Sequence, residues 1–307
     1  MNPTKPTVSG WLPAIGALLL TAGCAGTRIP PESALGIEEV LHSNARVLWV
    51  AAHPDDEALA GSVLTHACVG LKAPCYFLVF NHGDGGECLL PEGCHPDLGT
   101  VRGHELEESA ALYGATLEHY RLYNAPLPIE SFPAREEIAA KWRAVMDPSA
   151  AVAIAIRRFH PTVVLTLDAY HGFTCHPEHQ LAARYAMEGI RRAADPTQVF
   201  DGAPADTLTP WRTASYFEIV NRYWFLAPLM GRDPEPYTDA LDPDQACSPT
   251  ESCLDMASRF SYAHRTQAGD MGHLRTLSHL IYSVYLRRMD PYSQILGPLE
   301  PAPNTCG

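Results

Sequence analysis

The chain has 307 residues, with 22 Lys and Arg against 35 Asp and Glu, so its formal net charge is −13. An apolar share of 46% is too high for a disordered chain, and this length can bury one large core or two small ones. The acidic balance argues against nucleic acid as a partner, because a nucleic-acid binder needs a basic face to release counterions from phosphates. We therefore expect a folded domain that acts on other partners.

The first 23 residues do not have the pattern of a folded domain. A mostly apolar run of ten residues, too short to span about 30 Å of hydrocarbon, ends in Leu-Thr-Ala-Gly-Cys at 20–24. This ending resembles a bacterial lipobox, in which the cysteine becomes lipid-modified; an ordinary secretory signal with a chance cysteine is the alternative. We predict a signal peptide over 1–23, a lipid anchor at Cys24 and a tether over 24–35. The protein would then be extracytoplasmic, periplasmic or surface-exposed, and anchored to the cell membrane or the outer membrane.

The rest of the chain, residues 36–307, alternates between strand and helix patterns, and we interpret it as one domain with a C-terminal extension from about residue 200. In chain order, the patterns predict a strand at 46–52, a helix at 57–70, a strand at 75–80, a loop at 81–99, a helix at 100–114, a strand at 117–122, a helix at 133–159 interrupted near 147–148, a strand at 162–167 and a helix at 177–192. Beyond these, they predict strands at 214–220 and 223–226, a loop at 231–252 and a helical region at 254–288. Continuous apolar strands separated by helices are typical of an α/β fold, a Rossmann-like, mostly parallel sheet flanked by helices.

Polar residues follow the first strand directly, in the run Ala-His-Pro-Asp-Asp-Glu at 52–57. Ligands in open α/β sheets bind beyond the carboxyl ends of strands. Proline and acidic residues also make a good helix start, but a cap does not need His53. Because His53 and Asp56 are three residues apart across a strand-to-helix turn, both side chains can reach one point, and imidazole with carboxylate suits Zn²⁺.

A second cluster follows the strand at 162–167, again at the carboxyl end. It contains His176-Pro177-Glu178-His179 at a helix start. One of the two histidines can ligate a metal while the other faces a substrate. Two clusters of this composition at two strand ends predict a metal site.

These residues resemble the PIG-L/LmbE-like zinc deacetylases, which remove acetyl groups from N-acetylglucosamine conjugates. The resemblance covers roughly residues 45–188, with a weaker echo at 263–267. The run at 52–57 matches the first family motif fully. The second motif is usually His-Pro-Asp-His, and Glu178 takes the place of the aspartate here. The Arg-x-x-Glu motif of the family is matched at 102–105.

The resemblance implies a role for each matched residue. His53, Asp56 and His179 would bind one Zn²⁺ per chain, or another divalent metal. Asp55 would be the general base. His176 would assist, and as an imidazolium it is a candidate to stabilise the oxyanion. Arg102 would contact the substrate or Asp55.

Further substrate-binding positions are less defined. Some family members have a mobile tyrosine two residues before the first histidine of the second motif, where this chain has Thr174. Tyr170 or His171 could substitute for it. His264, in the stretch that echoes a late family motif, lies either at the site or on an ordinary helix face.

Eight cysteines remain if Cys24 carries lipid, an even number that suits disulfides in an oxidising compartment. Proximity in the sequence suggests the pairs Cys68–Cys75, Cys88–Cys94 and Cys247–Cys253. Cys175 then pairs with Cys306, unless it serves as a metal ligand or a nucleophile.

Together these features predict a zinc-dependent N-deacetylase that hydrolyses the acetamide of an N-acetylglucosamine-type conjugate at the cell envelope. One alternative is an amidase acting on a non-acetyl amide, such as a peptide-like or thiol conjugate. Another is a non-catalytic envelope binding module that retains its metal. The presence of Asp55 beside the complete ligand set argues against the second alternative, because a decayed enzyme often loses its base first.

Overall fold

A central sheet organises the structure, which is a computed structural model describing residues 35–200, 208–220, 237–242, 244–267, 284–294 and 296. The predicted signal peptide, the lipid anchor and all of the tether except residue 35 lie outside these ranges. In the described residues, no helix has the length and apolar character needed to cross a membrane.

Nine strands are present in the described residues. They are β1 (Val47–Ala51), β2 (Cys75–Asn81), β3 (Thr116–Leu122), β4 (Val163–Leu167), β5 (Ser215–Val220), β6 (Asp239–Ala240), β7 (Ala246–Ser248), β8 (Glu251–Ser252) and β9 (Tyr285–Met289). Seven form one sheet in the order β3-β2-β1-β4-β5-β9-β6, and β7 pairs with β8 separately. Strands β1 to β5 are mutually parallel, whereas β9 runs antiparallel to β5 and β6. The predicted Rossmann-like, mostly parallel sheet is confirmed.

Helices connect the parallel strands. They are α1 (Ile37–His42), α2 (Asp56–Leu59), α3 (Gly61–Leu64), α4 (Leu98–Tyr113), α5 (Arg135–Val145), α6 (Pro148–Phe159), α7 (Gly172–Cys175), α8 (Pro177–Ala194) and α9 (Cys253–Ser261), with a π-helix at Thr65–Gly70 and a 3₁₀-helix at Ile129–Ser131. Local chemistry sets several ends. Asp97 caps α4 by accepting from the Thr100 amide, and Gly114 ends it with φ of 66°. Asp147 and Pro148 separate α5 from α6, as predicted.

Both faces of the sheet are buried, as β1 shows. Val47, Trp49 and Ala51 belong to a core cluster on one face with residues of α1, α3, α4 and α9. Leu48 and Val50 belong to a second cluster on the other face with residues of α5, α6 and α8. The alternation of one strand between two cores explains why its sequence is apolar throughout.

The C-terminal part of the chain differs from its prediction. Residues 285–289 form strand β9 rather than the end of a helical region, because pairing with β5 places Leu286 in the core and overrides the local helical pattern. The predicted loop at 231–252 contains the short strands β6, β7 and β8. The strand predicted at 223–226 lies outside the described residues. Strands β5, β6 and β9 show that chain beyond residue 200 completes the main sheet.

Three of the predicted disulfides are present, namely Cys68–Cys75, Cys88–Cys94 and Cys247–Cys253. Cys175 is also disulfide-bonded, so it has no free thiolate for a metal or for nucleophilic attack. Its predicted partner, Cys306, lies outside the described residues.

The strand order reverses at β1, because the chain first builds outward through β2 and β3 and then returns to place β4 on the other side. This reversal is the topological switch point at which α/β sheets bind ligands. The residues that follow β1 and those that follow β4 therefore meet at one edge of the sheet.

Candidate active site

Three potential ligand atoms converge beyond β1 and β4. His53 Nδ1 lies 2.9 Å from His179 Nε2, His179 Nε2 lies 2.9 Å from Asp56 Oδ1, and Asp56 Oδ1 lies 3.4 Å from His53 Nδ1. All three residues are buried. The histidine and the aspartate predicted from the first motif thus meet the last histidine of the second.

Hydrogen bonds on the far side of each group aim its lone pair at this meeting point. His53 Nε2 donates to Glu178 Oε2 over 2.7 Å, so in the neutral ring the lone pair is on Nδ1. His179 Nδ1 donates to the Gly172 carbonyl over 2.7 Å, which leaves Nε2 unprotonated. Asp56 Oδ2 accepts from the amides of Ala52 and His53, which leaves Oδ1. Outer bonds of this kind fix the tautomer and the orientation of metal ligands.

The donor set fits a tetrahedral divalent metal. Ligand atoms about 2.0 Å from zinc lie about 3.3 Å apart in a tetrahedron, close to the three distances found here. Three protein ligands would leave a fourth position open for water or substrate. A nitrogen of His176 also lies within 4.8 Å of nitrogens of His53 and His179, but Asp56 Oδ1 makes the closer approach and completes the triangle.

The electrostatics of the triangle also call for a cation. Burial lowers the pKa of His53, but Asp56 and Glu178 more than offset this and raise it to about 10. The neighbouring histidines hold the pKa of Asp56 well below its usual range despite its burial. Two buried carboxylates around His53 thus favour positive charge at this point, which a divalent ion would supply in place of protons.

Glu178 is a functional residue whose role the sequence did not reveal. Its side chain is fully buried and accepts four hydrogen bonds, from His53 Nε2, Asn81 Nδ2, Asn124 Nδ2 and the Ala125 amide. It therefore joins a metal-ligand candidate to the ends of β2 and β3. The available signal was the position of this acid between the two histidines of the second motif.

Asp55 lies beside the triangle and is held by Arg102. Its backbone adopts φ of 94°, an uncommon conformation for a non-glycine residue and one that clusters at functional sites. Arg102 Nη2 donates to Asp55 Oδ2 over 2.8 Å and to the Pro54 carbonyl over 2.7 Å. Burial raises the pKa of Asp55 although Arg102 opposes the change. Asp55 is thus a carboxylate that binds a proton more readily than an ordinary aspartate and that Arg102 holds in place.

Arg102 is itself buried beneath the glycine-rich loop. Its Nη1 donates to the Gly83 carbonyl, and a Cβ atom at Gly83 or Gly86 would lie 2.5 Å from the guanidinium. These two positions therefore need glycine for the loop to close over Arg102. The arginine predicted at the site contacts the candidate base.

His176 lines the cavity close to the rings of His53 and His179. Its Nδ1 accepts from the Glu178 amide at the start of α8, so the neutral ring carries its proton on Nε2. Burial, followed by the nearby His53 and His179, lowers the pKa of His176 well below its usual value. The geometry thus supports a neutral hydrogen-bond donor rather than the expected imidazolium.

His264 belongs to the site rather than to an ordinary helix face. Its Nε2 contacts Glu57 Oε1, which also accepts from the Ser109 hydroxyl. Its Nδ1 is buried and has no hydrogen-bond partner in the described part of the chain. Burial lowers the pKa of His264, but Glu57 more than offsets this and raises it. His264 also lines the cavity.

The late segment around His264 is held in place by the Arg-x-x-Glu helix. Glu105 is fully buried and accepts from both the amide and the hydroxyl of Thr266. Gln267 Nε2 donates to the Glu87 carbonyl, and the Leu89 amide donates to Thr266. The Arg-x-x-Glu motif at 102–105 and the late stretch at 263–267 are therefore physically linked.

A cavity of about 340 Å³ opens beside these groups, at the lower end of the usual size for ligand pockets. Its walls combine the polar cluster with apolar side chains. The lining residues are His53, Asp55, Asp56, Ala58, Leu59, Gly85, Gly86, Arg102, Asn124, Ala125, Leu127, Phe132, His176, His179, Ser261, His264 and Gln267.

Two of the suggested substrate residues are not brought to this cavity. The fully buried Asp168 accepts from the amides of Tyr170, His171 and Phe173, and this turns the loop outward. Tyr170 lies near the guanidinium groups of Arg184 and Arg287 instead. The His171 side chain is 53% exposed. The side chain of Thr174 lies outside the described residues.

Comparisons with known proteins agree with this geometry. Residues 48–190 match the family model described as PIG-L: GlcNAc-PI de-N-acetylase. A 1D-myo-inositol 2-acetamido-2-deoxy-alpha-D-glucopyranoside deacetylase of Geodermatophilus obscurus is 32% identical over 195 residues, 60% of this chain and 62% of that relative. The chain thus spans somewhat under two thirds of the length of this relative.

Solved structures share the fold. N,N'-diacetylchitobiose deacetylase from Pyrococcus horikoshii has a TM-score of 0.58 at 17% identity, covering 85% of this chain and 93% of its own. The 4-carboxy-2-hydroxymuconate hydratase GalB from Pseudomonas putida KT2440 has a TM-score of 0.52 at 14% identity, covering 83% and 99%. Because a hydratase shares this fold, the chemistry must be argued from the site. The match over residues 48–190 shows that this part of the chain is similar to the PIG-L (LmbE-like) deacetylase family.

Proposed function

We propose that this protein is a metal-dependent N-deacetylase that hydrolyses the acetamide of an acetamido-sugar conjugate, with zinc as the metal. The observation that carries the proposal is the triangle of His53, Asp56 and His179, with Asp55 beside it. That arrangement would hold a divalent ion with one coordination position left open, and it supplies a separate carboxylate as the base.

The residues of the chain divide the remaining work. When bound, zinc supplies a Lewis acid for the amide oxygen and an activated water as the nucleophile. Asp55, oriented by Arg102, accepts the proton of the attacking water and returns it to the departing amine. His176 Nε2 and His264 Nδ1 are the donors placed to stabilise the negative charge that develops on the amide oxygen.

Acetamido sugars are the substrate class that the relatives support, since the Geodermatophilus relative and the Pyrococcus enzyme are named for such compounds. The cavity volume suits one sugar ring with its acetamide. Leu59, Leu127 and Phe132 provide apolar lining for the methyl group or for a ring face, and Asn124 and Gln267 add polar side chains to the lining.

The proposed location is the cell envelope, with the lipid anchor at Cys24. The lipobox-like run at 20–24 supports it, and three disulfides in the described residues suit an oxidising compartment. Cys24→Ser is expected to move the protein from the membrane fraction to the soluble extracytoplasmic fraction. Unchanged membrane association of this variant would contradict the anchor.

The test of activity is amine release from purified protein given N-acetylglucosamine, its inositol conjugate and N,N'-diacetylchitobiose. A chelator is expected to abolish release and Zn²⁺ to restore it. Asp55→Asn is expected to keep the metal and to lose about 10²- to 10⁴-fold in kcat, whereas the exposed control Asp242→Asn keeps full activity. Metal analysis without a stoichiometric divalent ion, or unchanged turnover in Asp55→Asn, would refute the mechanism.

The same assay separates the two alternatives. Two further kinds of amide are included. Longer N-acyl glucosamines keep the sugar but lack the acetyl group, and N-acetyl amino acids keep the acetyl group but lack the sugar. Preference for these compounds would identify an amidase of another specificity. Saturable sugar binding without hydrolysis of any compound would identify a binding module.

A further inference from the structure

A second cluster of metal-ligand types lies away from the cavity. Glu38 and His42 are one turn apart on α1, and Glu38 Oε1 lies 3.1 Å from His42 Nε2. The same oxygen lies 3.2 Å from Nε2 of His66, the second residue of the π-helix. One ligand atom from each of the three residues lies within 4.8 Å of the other two. None of the three lines the candidate active site.

His66 is oriented as a ligand. Its side chain is 7% exposed, and its Nδ1 lies 3.9 Å from Sγ of Cys253. Because Cys253 is disulfide-bonded to Cys247, its sulfur has no proton to donate and can only accept. The tautomer that carries its proton on Nδ1 would present the Nε2 lone pair to a metal held with Glu38 and His42.

The contact between His66 Nε2 and Glu38 Oε1 lacks the geometry of a hydrogen bond, although the two atoms are 3.2 Å apart. His66 Nε2 is buried and unsatisfied, and Oε2 of Glu38 is unsatisfied too. Leaving a buried polar atom unpaired costs about 1–3 kcal/mol.

We propose that Glu38, His42 and His66 form a second metal site, for a transition-metal dication of the zinc class. Two imidazoles and a carboxylate are a zinc-type donor set, and residues four apart on a helix present their ligands on one face. An ion here would satisfy both orphaned atoms. His42 and Glu38 are half exposed, so the ion can enter from solvent.

The position of the site indicates a structural role. His42 ends α1 five residues before β1 begins, and the π-helix ends five residues before β2 begins. The site is therefore near the amino ends of the strands, at the opposite edge of the sheet from the candidate active site. The ion would join α1, the first described element, to the helical segment after β1.

The two sites can be counted separately by equilibrium dialysis of the full-length protein against a defined micromolar concentration of free Zn²⁺. Wild-type protein is expected to bind about two ions per chain, the number that two independent three-ligand sites hold. His42→Ala, an exposed substitution, is expected to lose one ion and to keep the catalytic activity of the wild type. The control His104→Ala removes an exposed histidine on α4 and is expected to lose none.

The variant His179→Ala removes a ligand of the candidate active site and isolates the second site. Zn²⁺ is expected to raise the thermal unfolding temperature of His179→Ala but not that of the double variant His42→Ala/His179→Ala. Equal metal content in wild type and His42→Ala would overturn the proposal, as would an absence of bound Zn²⁺ in His179→Ala. Neither result depends on which reaction the cavity catalyses.

Discussion

Replacing Glu178 by glutamine tests whether its carboxylate organises the site. Oε2 accepts from His53, Asn81 and Asn124, and Oε1 accepts from the Ala125 amide. Glutamine has only one acceptor oxygen. If that oxygen keeps the three partners of Oε2, the new NH₂ group faces the Ala125 amide, and two buried donors oppose each other.

Two effects of Glu178→Gln can be given magnitudes. The unpaired buried donors should lower the free energy of unfolding by about 1–3 kcal/mol. The bond to His53 also loses its charged acceptor, and the loss of such an outer partner lowers metal affinity by about 10- to 100-fold. The second effect corresponds to about 1.4–2.7 kcal/mol of binding free energy.

Both effects are measurable on purified protein, by urea unfolding of the metal-free form and by Zn²⁺ competition with a chromophoric chelator. Glu178→Asp keeps a carboxylate and restores the usual family motif, so it should lose less affinity. Glu188→Gln, an exposed change on the same helix, should leave both quantities unchanged. If Glu178→Gln matched Glu188→Gln in both measurements, the organising role of this carboxylate would be refuted.

Three further substitutions probe other parts of the structure. Arg102→Lys keeps the charge but loses the fork that holds Asp55 and Pro54, so kcat should fall by about 10- to 100-fold without loss of metal; unchanged kcat would contradict the positioning role. His264→Gln should lower kcat/KM by about 10²-fold through loss of the Nδ1–H donor, and wild-type kinetics would exclude it from the reaction. Burial raises the pKa of Glu218 to about 7 against the pull of Arg287. The free energy of unfolding should therefore decline as pH rises from about 4.5 through 7, by up to about 3 kcal/mol. Glu218→Gln should flatten this decline. Parallel curves of unfolding free energy against pH for the two proteins would contradict the shifted pKa.

Local patterns predicted the parallel core well, for a physical reason. Strands buried on both faces, such as β1 and β4, must be apolar throughout, and helix ends are set by nearby caps such as Asp97 and Gly114. Strand β9 was missed because its partner β5 lies about seventy residues earlier in the chain, and a short segment takes its conformation from such pairing.

The same distinction applies to the site. Sequence patterns predicted which residues follow β1 and β4. They placed His53 and Asp56 at one edge with His176 and His179, because parallel strands end on the same side, and the family resemblance chose His179 as the ligand. Tertiary structure decided what those side chains meet. Glu178 bridges three separate parts of the chain.

Tertiary structure also decided outcomes that no spacing shows. The buried Asp168 turns Tyr170 and His171 away from the cavity, whereas the bonds between Glu105 and Thr266 bring His264 into it. Glu38 and His42 meet His66 only because α1 packs near the π-helix. A hydrogen bond or a metal site depends on where lone pairs converge in space, and that convergence exists only once the core is packed.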